Sequence, residues 1–414
     1  MLLGGMALAA ATLVAGAGEA KTRLVFACHY TNEQQRLFER FIAEYERLNP
    51  EVDIVYQQVS HRDYLQTVLT ARIAGQAPDI YNLHMDWAPR LVASGALSEP
   101  PQALAERVRR DYVPSAVEGA TLEGKLWGVP TEISNYLLVY NKQLLAEAGF
   151  DEPPASWDEL LAVAKATTQR DAQGKATRLG FGYGDTPASL SQPYLSLLFS
   201  LGGDVFNAER NASRLASPEA VQALELYREP ARAGVADPAV PIFDQPGGNV
   251  ALGIVASWRR ATYAEVLGPD FAKTIGVAPI PVGGENWKTL QYTFFMTVDA
   301  NSPNREAAWR FVDWMNAQPA PGRSSPIGDI LADLGGLTGS RPDTAAHPEV
   351  YEDPFTKPFV AALERSVPMA PLPRSEEIKA IIHRAVEQAV WGGVEPEAAL
   401  EAASEEIDLV LAGG

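Results

Sequence analysis

In the first hundred residues, segments with the apolar pattern of a strand alternate with segments that have the apolar pattern of a helix. Short apolar runs at 24–27 and 80–83 and an alternating run at 52–56 are typical of strands, whereas the stretches between them repeat apolar residues every three or four positions, as an amphipathic helix does. Thr31 and Gln34 form a capping-box pattern at the first of these helices. The resulting βαβαβ order predicts a parallel or mixed sheet, with a ligand site at the carboxyl ends of its strands.

A second α/β unit begins near residue 124. An apolar run without alternation at 136–140 predicts a strand covered on both faces, and Asn141 is placed to cap the helix that follows. Further strands are predicted at 179–183, 250–256, 274–278 and 292–298, and further helices at 359–365, 378–390 and 396–411. The glycine-rich stretch 319–342 is predicted to be loose.

Composition narrows the class of protein. The chain has 414 residues and 46% hydrophobic composition, which is enough for two or three domain cores. Its net charge of −18 argues against nucleic-acid binding, because phosphate contacts require a basic surface. The single cysteine, Cys28, rules out an intramolecular disulfide, so packing must hold the fold together.

The N-terminal segment has the composition of an export signal. Residues 1–20 are small and apolar, carry no charge before Glu19, and end at a small-residue cleavage pattern. A retained membrane anchor is the alternative, although the run is short for a span. A lipoprotein is disfavoured, because Cys28 lies inside a predicted strand, beyond Lys21 and Arg23. We therefore expect a cleaved signal peptide at 1–20 and a periplasmic or otherwise extracytoplasmic protein.

Four segments, in this order, resemble the extracellular solute-binding proteins of ABC importers, in particular the sugar-binding group that includes maltose-binding protein. They are AGQAPDIYNLHMDWAPRLVASGAL at 74–97, GKLWGVP and YNKQLLAEAG within 124–149, NSPNREAAWRFVDWMN at 301–316, and GGVEPEAALEAASEEI at 392–407. The resemblance implies a carbohydrate ligand of mono- or disaccharide size and membrane permease subunits as partners. It also implies a monomer with no cofactor and no catalytic activity.

The same resemblance implies an α/β architecture of two lobes, each a mixed sheet flanked by helices, with a ligand cleft between them and three hinge crossings. The expected N-terminal lobe is 21–133 and 285–338, and the expected C-terminal lobe is 134–284 and 339–414. Candidate crossings lie near Pro130, at 279–284 and at 335–342, where proline or glycine stands close to a strand end. Closure of the lobes on a ligand would follow from rotation at these few residues.

Sugar recognition requires flat apolar faces for the ring and fixed polar groups for the hydroxyls. Asp86 matches a family position whose carboxylate accepts sugar hydroxyls, and Trp87 and Trp258 lie in loops where the family places ligand contacts. A core or surface role is the alternative for every aromatic or charged candidate. The candidate ligand-binding residues are His29, Thr31, His84, Asp86, Trp87, Glu132, Ser134, Tyr183, Asp185, Gln192, Trp258, Arg259, Trp287, Tyr292, Gly336 and Arg341.

The charge of the ligand stays open at this point. Malto-oligosaccharide binders of the family carry an aromatic shelf in the helix where this chain has SEEIK at 375–379, so stacking of a long α-glucan is not expected. In contrast, His29, His61 and His84 at predicted strand ends, together with Arg341, admit an anionic sugar derivative or a glycerol-phosphate-type ligand.

Two other classes of protein have less support. The 52 acidic residues leave room for paired carboxylates of a glycoside hydrolase, but the chain has no nucleophile-elbow, zinc-protease or P-loop motif. A metal-binding importer component would need clustered ligands, and the five histidines are scattered along the sequence.

Overall fold

The computed structural model describes residues 21–413, so the expected signal peptide lies outside the described residues. The strands are β1 (Thr22–Cys28), β2 (Val52–Gln58), β3 (Ile80–His84), β4 (Leu97–Ser98), β5 (Thr121–Leu122), β6 (Lys125–Leu126), β7 (Val129–Asn141), β8 (Gln169–Arg170), β9 (Ala176–Gly182), β10 (Val250–Ala256), β11 (Ile275–Ala278), β12 (Thr289–Asp299), β13 (Leu337–Thr338) and β14 (Ser366–Pro368).

The helices are α1 (Asn32–Leu48), α2 (Tyr64–Ile73), α3 (Ala88–Ala93), α4 (Gln102–Asp111), α5 (Pro114–Gly119), α6 (Lys142–Glu147), α7 (Trp157–Thr167), α8 (Pro187–Ser200), α9 (Pro218–Arg232), α10 (Arg260–Leu267), α11 (Arg305–Met315), α12 (Pro326–Leu334), α13 (Arg341–Ala346), α14 (Pro348–Tyr351), α15 (Thr356–Ala362), α16 (Ser375–Val390) and α17 (Pro396–Ala412). Within residues 21–413, no helix combines the length and the apolar character needed to cross a membrane.

A mixed sheet runs through the molecule in the order β2-β1-β3-β12-β7-β10-β9-β8. Strand β1 pairs in parallel with β2 and β3, as the βαβαβ pattern predicts. Strand β12 then lies antiparallel between β3 and β7, and β10 pairs antiparallel with β7 and parallel with β9. The predicted mixed sheet is therefore confirmed.

Strand β7 serves both halves of this sheet. Its first part, around Ile133, pairs with β12, and its second part pairs with β10. Along the second part, Tyr136 and Leu138 pack into one hydrophobic core while Leu137 and Val139 pack into another. Because side chains alternate between the two faces of a strand, these cores lie on opposite faces of the sheet. The predicted strand covered on both faces is confirmed.

Three hydrophobic cores define two lobes. One core contains Phe26, Phe38 and Trp309 and is built on β1 to β3, α1 and α11; we call this part the first lobe. The other two cores, which include Leu138 and Phe355, cover the two faces of the sheet around β7 and β10; we call this part the second lobe.

Val113 and Ala116 make a short excursion into a second-lobe core, and the chain is back in the first-lobe core at Ala120. Beyond this excursion the chain passes between the lobes three times. The changes fall between Val129 and Ile133, between Leu290 and Phe294, and between Leu331 and Leu337. The predicted crossing at 279–284 is wrong, because Ile280 and Val282 belong to the same second-lobe core as Leu290. The proline- and glycine-rich stretch is a loop of the second lobe, and the crossing lies inside β12. The segment bounds expected for each lobe stay a proposal, which these changes of core refine.

The stretch 319–342, predicted to be loose, contains the helix α12. The Ser325 side chain caps this helix by accepting a hydrogen bond from the Gly328 backbone N–H at 3.1 Å, and Pro326 occupies its first turn. Ser325 also donates to the buried Asp343 carboxylate at 2.8 Å. A serine cap followed by proline is a helix-start signal. The five glycines of the stretch made it look like a loop.

Candidate ligand-binding cleft

The two lobes enclose a cavity of about 730 Å³. The first lobe contributes residues that follow β1 and β3 and residues of β7 and β12, so the ends of neighbouring strands meet here. The second lobe contributes the start of α8, the loop after β10 and one face of α16. A crevice at the carboxyl ends of strands is the expected position for a ligand in an open α/β sheet.

Aromatic rings form the first-lobe wall of the cavity. The His29 ring stacks on Phe294 with their centroids 4.3 Å apart, and Trp87 stacks on Tyr64 at 4.6 Å. Tyr292 and Phe294 of β12 both face the cavity. Because Trp87 is only 4% exposed and stacks on Tyr64, it offers the cavity little of its indole surface.

The second-lobe wall offers a more accessible aromatic surface. Trp258 follows β10 and keeps 38% of its surface exposed, beside the Phe243 ring at 6.4 Å. The Arg259 guanidinium lies over the Phe243 ring, 4.3 Å from its centroid. This cation–π contact holds Phe243 in position, which leaves Trp258 and Phe243 as an apolar platform.

Asp86 is the most firmly held carboxylate of the cleft. Its Oδ2 lies 3.1 Å from His84 Nδ1 and also accepts a hydrogen bond from Lys379 Nζ, which reaches it from α16 of the second lobe. Burial by itself would raise the pKa of Asp86, but the Lys379 ammonium and the His84 ring outweigh burial and hold this pKa well below its usual range. Asp86 is therefore an ionised hydrogen-bond acceptor at neutral pH.

Glu132 is the second buried carboxylate of the lining. The Tyr30 hydroxyl donates to its Oε2, and the Ser134 hydroxyl donates to its Oε1 at 3.4 Å. Burial raises the pKa of Glu132 above its ordinary value, although these two hydrogen bonds oppose the rise. Ser134 itself accepts from the Ser257 hydroxyl at 3.3 Å and is fully buried, so it positions Glu132 from behind.

Two histidines of the cleft, His29 and His61, are neutral at pH 7. Burial and the neighbouring His61 and His84 rings lower the pKa of His29 to about 3, and burial with His84 and Lys379 lowers that of His61 to about 4. A neutral imidazole offers one donor and one acceptor. The Nδ1 atoms of His29 and His383 are both buried without a protein partner, although both residues line the cavity. Such atoms are normally satisfied, and a ligand hydroxyl is one group that can do so.

The structure brings half of the sequence-predicted set to the cavity wall. The lining includes His29, His84, Asp86, Trp87, Glu132, Gln192, Trp258 and Tyr292. Three more lie behind it or at its edge. Ser134 and Arg259 support lining residues as described, and the exposed Asp185 directly precedes the lining residue Thr186.

The other five predicted residues lie outside the lining. Thr31 starts helix α1, where its backbone N–H donates to Gln34 Oε1 at 3.3 Å. The Tyr183 hydroxyl is buried in the second-lobe core and donates to the Tyr227 carbonyl at 2.5 Å. The Gly336 carbonyl accepts a hydrogen bond from Tyr351. None of these three residues lines the cavity, and each makes a structural contact, so their role in ligand binding stays a prediction that the geometry does not favour.

Trp287 and Arg341 also lie outside the lining of the cavity. The Arg365 guanidinium lies over the Trp287 ring, 5.2 Å from its centroid, and this indole packs beside the second-lobe core that contains Phe355. Arg341 donates to the Tyr112 carbonyl at 2.7 Å and lines a separate groove of about 590 Å³. The arginine that admitted an anionic ligand is thus absent from the lining of the cleft.

Sequence reasoning missed several residues of the lining. Tyr30, Phe243, Phe294, Lys379 and His383 were not among the candidates, although all five face the cavity. For Lys379 a signal existed, because the sequence at 375–379 departs from the aromatic shelf that the family resemblance implied for this helix. Lys379 and His383 are four positions apart and therefore lie on one face of α16.

Residues 30–320 match the bacterial extracellular solute-binding protein family, so this chain belongs to that family of binding proteins. A binding protein of Brucella abortus (strain 2308) is 25% identical over 99% of this chain and 97% of its own length. The maltotriose-binding protein of Pyrococcus abyssi is 25% identical over 88% of this chain and 74% of its own length.

Solved structures share the fold. The sugar-binding protein MalE of Xanthomonas citri superposes with a TM-score of 0.81 at 21% identity, over 95% of this chain and 98% of its own. A solute-binding protein of Thermotoga lettingae, bound with α-D-tagatose, superposes with a TM-score of 0.79 at 21% identity, over 94% of this chain and 100% of its own. The protein therefore has the two-lobed fold of periplasmic binding proteins.

Proposed function

We propose that this protein is the substrate-binding component of an ABC importer and captures a neutral saccharide of mono- or disaccharide size in the cleft between its lobes. The observation that carries this proposal is the composition of the cavity wall. An accessible indole at Trp258 faces fixed polar groups at Asp86 and Glu132, and buried imidazole nitrogens lack protein partners. This combination matches the apolar faces and the hydroxyls of a sugar ring.

The relatives agree with a carbohydrate ligand. The named ligands of two similar proteins are maltotriose and α-D-tagatose, which are an oligosaccharide and a monosaccharide. The cavity of about 730 Å³ lies within the range of about 300–1,000 Å³ usual for small-molecule sites. In α16, the lining residues are Glu376, Lys379, Ala380, Ile382 and His383, so this wall has no indole or phenyl ring for a long glucan. We infer a short ligand.

The charges of the lining favour a neutral ligand over the anionic alternative. Lys379 is already paired with Asp86, and the remaining carboxylates are Glu132 and Glu376. An anionic sugar derivative would need an arginine or lysine with free donors, and Arg259 and Arg341 lie outside the lining. A phosphate- or carboxylate-bearing ligand would therefore meet net repulsion.

We infer that binding takes place without turnover. Asp86 and Glu132 have pKa values shifted in opposite directions, which in a glycoside hydrolase would mark a base and an acid. Here Lys379 pairs with the first carboxylate and the Tyr30 hydroxyl donates to the second, so both are held as fixed hydrogen-bonding groups rather than as a free base and acid. Incubation with disaccharides and analysis of reducing sugars separates the two functions, and we expect no product.

Delivery to membrane permease subunits and an extracytoplasmic location are part of the proposal. They rest on the family and on the export-signal composition of residues 1–20. The three passages of the chain between the lobes permit closure of the cleft, and a closed form is the species that permease subunits would recognise.

A thermal-shift panel tests the proposed function. The panel contains neutral mono- and disaccharides, sugar phosphates, uronic acids, amino acids and divalent metal ions. A ligand that binds only the folded state raises the melting temperature by mass action. We expect stabilisation by one or more neutral saccharides. Stabilisation only by an amino acid or a metal ion would contradict the proposal.

A further inference from the structure

The Lys379–Asp86 ion pair joins the two lobes across the ligand cavity. Asp86 follows β3 of the first lobe, and Lys379 lies on α16, which packs in the second-lobe core through Ile378 and Ile381. Both side chains line the cavity, and the Asp86 side chain is only 4% exposed. The pair thus belongs to the wall that a ligand would contact.

The ion pair leaves part of the Asp86 carboxylate available. An ionised carboxylate has two oxygens and about four acceptor positions. The contacts from Lys379 and His84 both go to Oδ2. The other oxygen, Oδ1, can therefore accept hydrogen bonds from ligand hydroxyls without disturbing the pair.

A ligand that carries a charge would bind the cleft less favourably than a neutral one. An ammonium group on a sugar could bind Asp86 only by displacing Lys379, which exchanges one ion pair for another and leaves the lysine without its partner. An anionic group could not use Lys379 while Asp86 holds it, and it would also face Glu132 and Glu376, whose Oε1 lies 3.5 Å from Lys379 Nζ. Both kinds of charged ligand are disfavoured by the same contact.

We propose that Lys379 is a specificity-determining residue, which reserves the Asp86 carboxylate for uncharged hydroxyl-bearing ligands by pairing with it from the opposite lobe. This inference rests on the proposed function. It goes further because it assigns the selection against amino sugars to one side chain outside the predicted set.

The test compares Lys379→Met with the wild type. Methionine keeps an unbranched side chain of similar length but removes the charge, so Asp86 loses its partner while the shape of α16 is kept. The probes are glucose, glucosamine and glucuronate, and galactose, galactosamine and galacturonate. Dissociation constants come from the concentration dependence of the melting temperature.

In the wild type, each neutral sugar should bind at least as tightly as its amino derivative. In Lys379→Met, the ammonium of the amino sugar replaces the lysine, so we expect the affinity ratio of amino sugar to neutral sugar to rise about tenfold or more. Lys379→Arg keeps the positive charge and should therefore show the same ratio as the wild type. Lys357→Met, which removes an exposed lysine paired with Glu352, should leave the ratio unchanged.

The outcomes separate the two proposals. An unchanged ratio in a folded Lys379→Met protein would overturn the role of Lys379 and leave sugar binding intact. If the ratio rises in Lys379→Arg as well as in Lys379→Met, the role of Lys379 is also overturned, because loss of the positive charge would not be the cause of the rise. If the wild type responds to no neutral saccharide of the thermal-shift panel, the proposed function fails, and this inference fails with it.

Discussion

Lys379 Nζ and the Asp86 carboxylate are bonded across the cleft although 293 positions separate these residues in the chain. Each residue stands on a different lobe, so their contact depends on how the two lobes are oriented. Asp86 is held in its ionised form by this neighbour and by His84. The contact ties the electrostatics of the cleft to the arrangement of the lobes.

The first prediction concerns Asp86. A hydrogen bond to a charged group is worth roughly 1.5–3 kcal/mol, so Asp86→Ala should weaken saccharide binding by more than about tenfold. The matched control is Asp270→Ala, which removes a 75% exposed carboxylate paired with Lys273 on the surface. Titration calorimetry of both variants measures the difference. Equal affinity in Asp86→Ala and the wild type would remove Asp86 from the site.

The second prediction separates two tryptophans. Trp258 offers an accessible face to the cavity, whereas Trp287 is covered by Arg365 outside the lining. We expect Trp258→Ala to weaken saccharide binding by roughly tenfold, since a stacked aromatic contact contributes about 0.5–1.5 kcal/mol beyond the area it buries. Trp287→Ala should leave the affinity within about twofold. A larger loss in Trp287→Ala than in Trp258→Ala would show that the platform is misassigned.

The third prediction concerns acid stability. The pKa of His29 in the folded protein is about 3, below the ordinary value of 6.5, because of burial and the neighbouring His61 and His84. Between pH 6.5 and about pH 3 the unfolded chain binds more protons than the folded protein. Protonation of His29 therefore does not reduce the free energy of unfolding above pH 6.5, but reduces it progressively as the pH falls from 6.5 towards 3. His29→Phe keeps a ring against Phe294 and should lose less stability than the wild type between about pH 7 and pH 4.

His347 provides a control, because its pKa is shifted in the direction opposite to that of His29. Burial alone would lower its pKa, but hydrogen bonds to Glu349 and Asp329 raise it above the ordinary value. It therefore contributes stability below pH 6.5 that is lost as the pH rises, and His347→Gln should lose more stability than the wild type on acidification. Melting temperatures measured across the pH range give both differences. Parallel curves for His29→Phe and the wild type would refute the assignment.

The fourth prediction concerns the packing that supports the second lobe. A Cβ at Gly180 in β9 would lie 1.8 Å from the Ala164 carbonyl oxygen of α7, so the helix or the strand would have to shift. We expect Gly180→Ala to lower the free energy of unfolding by at least about 1–3 kcal/mol, the usual cost of overpacking. At Gly247 the nearest atom would be 3.6 Å away, and Gly247→Ala should change stability little. Chemical denaturation of both variants checks the contrast.

Much of the fold was predictable because its signals are local. The βαβαβ pattern of the first lobe and the doubly covered strand β7 follow from short runs of apolar residues, and both are present. Asn141 also caps α6 as expected, accepting from the Leu144 backbone N–H at 3.1 Å. The crossing in β12 was missed because this strand, unlike β7 with its Pro130, has no proline or glycine to mark it.

The candidate site was less predictable, since it depends on contacts between distant segments. Tyr183 follows β9 as a ligand residue would, yet its hydroxyl turns into the core to reach Tyr227. Conversely, Lys379 and His383 lie on α16, where the spacing of apolar residues predicts the buried face of the helix. It does not predict that the polar face lines the cavity opposite the first lobe. Strand ends can be located from the sequence, whereas side-chain directions depend on tertiary packing.

Titration calorimetry with the neutral saccharide that stabilises the protein most tests the central claim directly. We predict one ligand per chain, a negative heat-capacity change from burial of the apolar cavity wall, and no change in the sugar after incubation. Saturable binding of an amino acid or a metal ion, with no heat from any neutral mono- or disaccharide, would contradict the account.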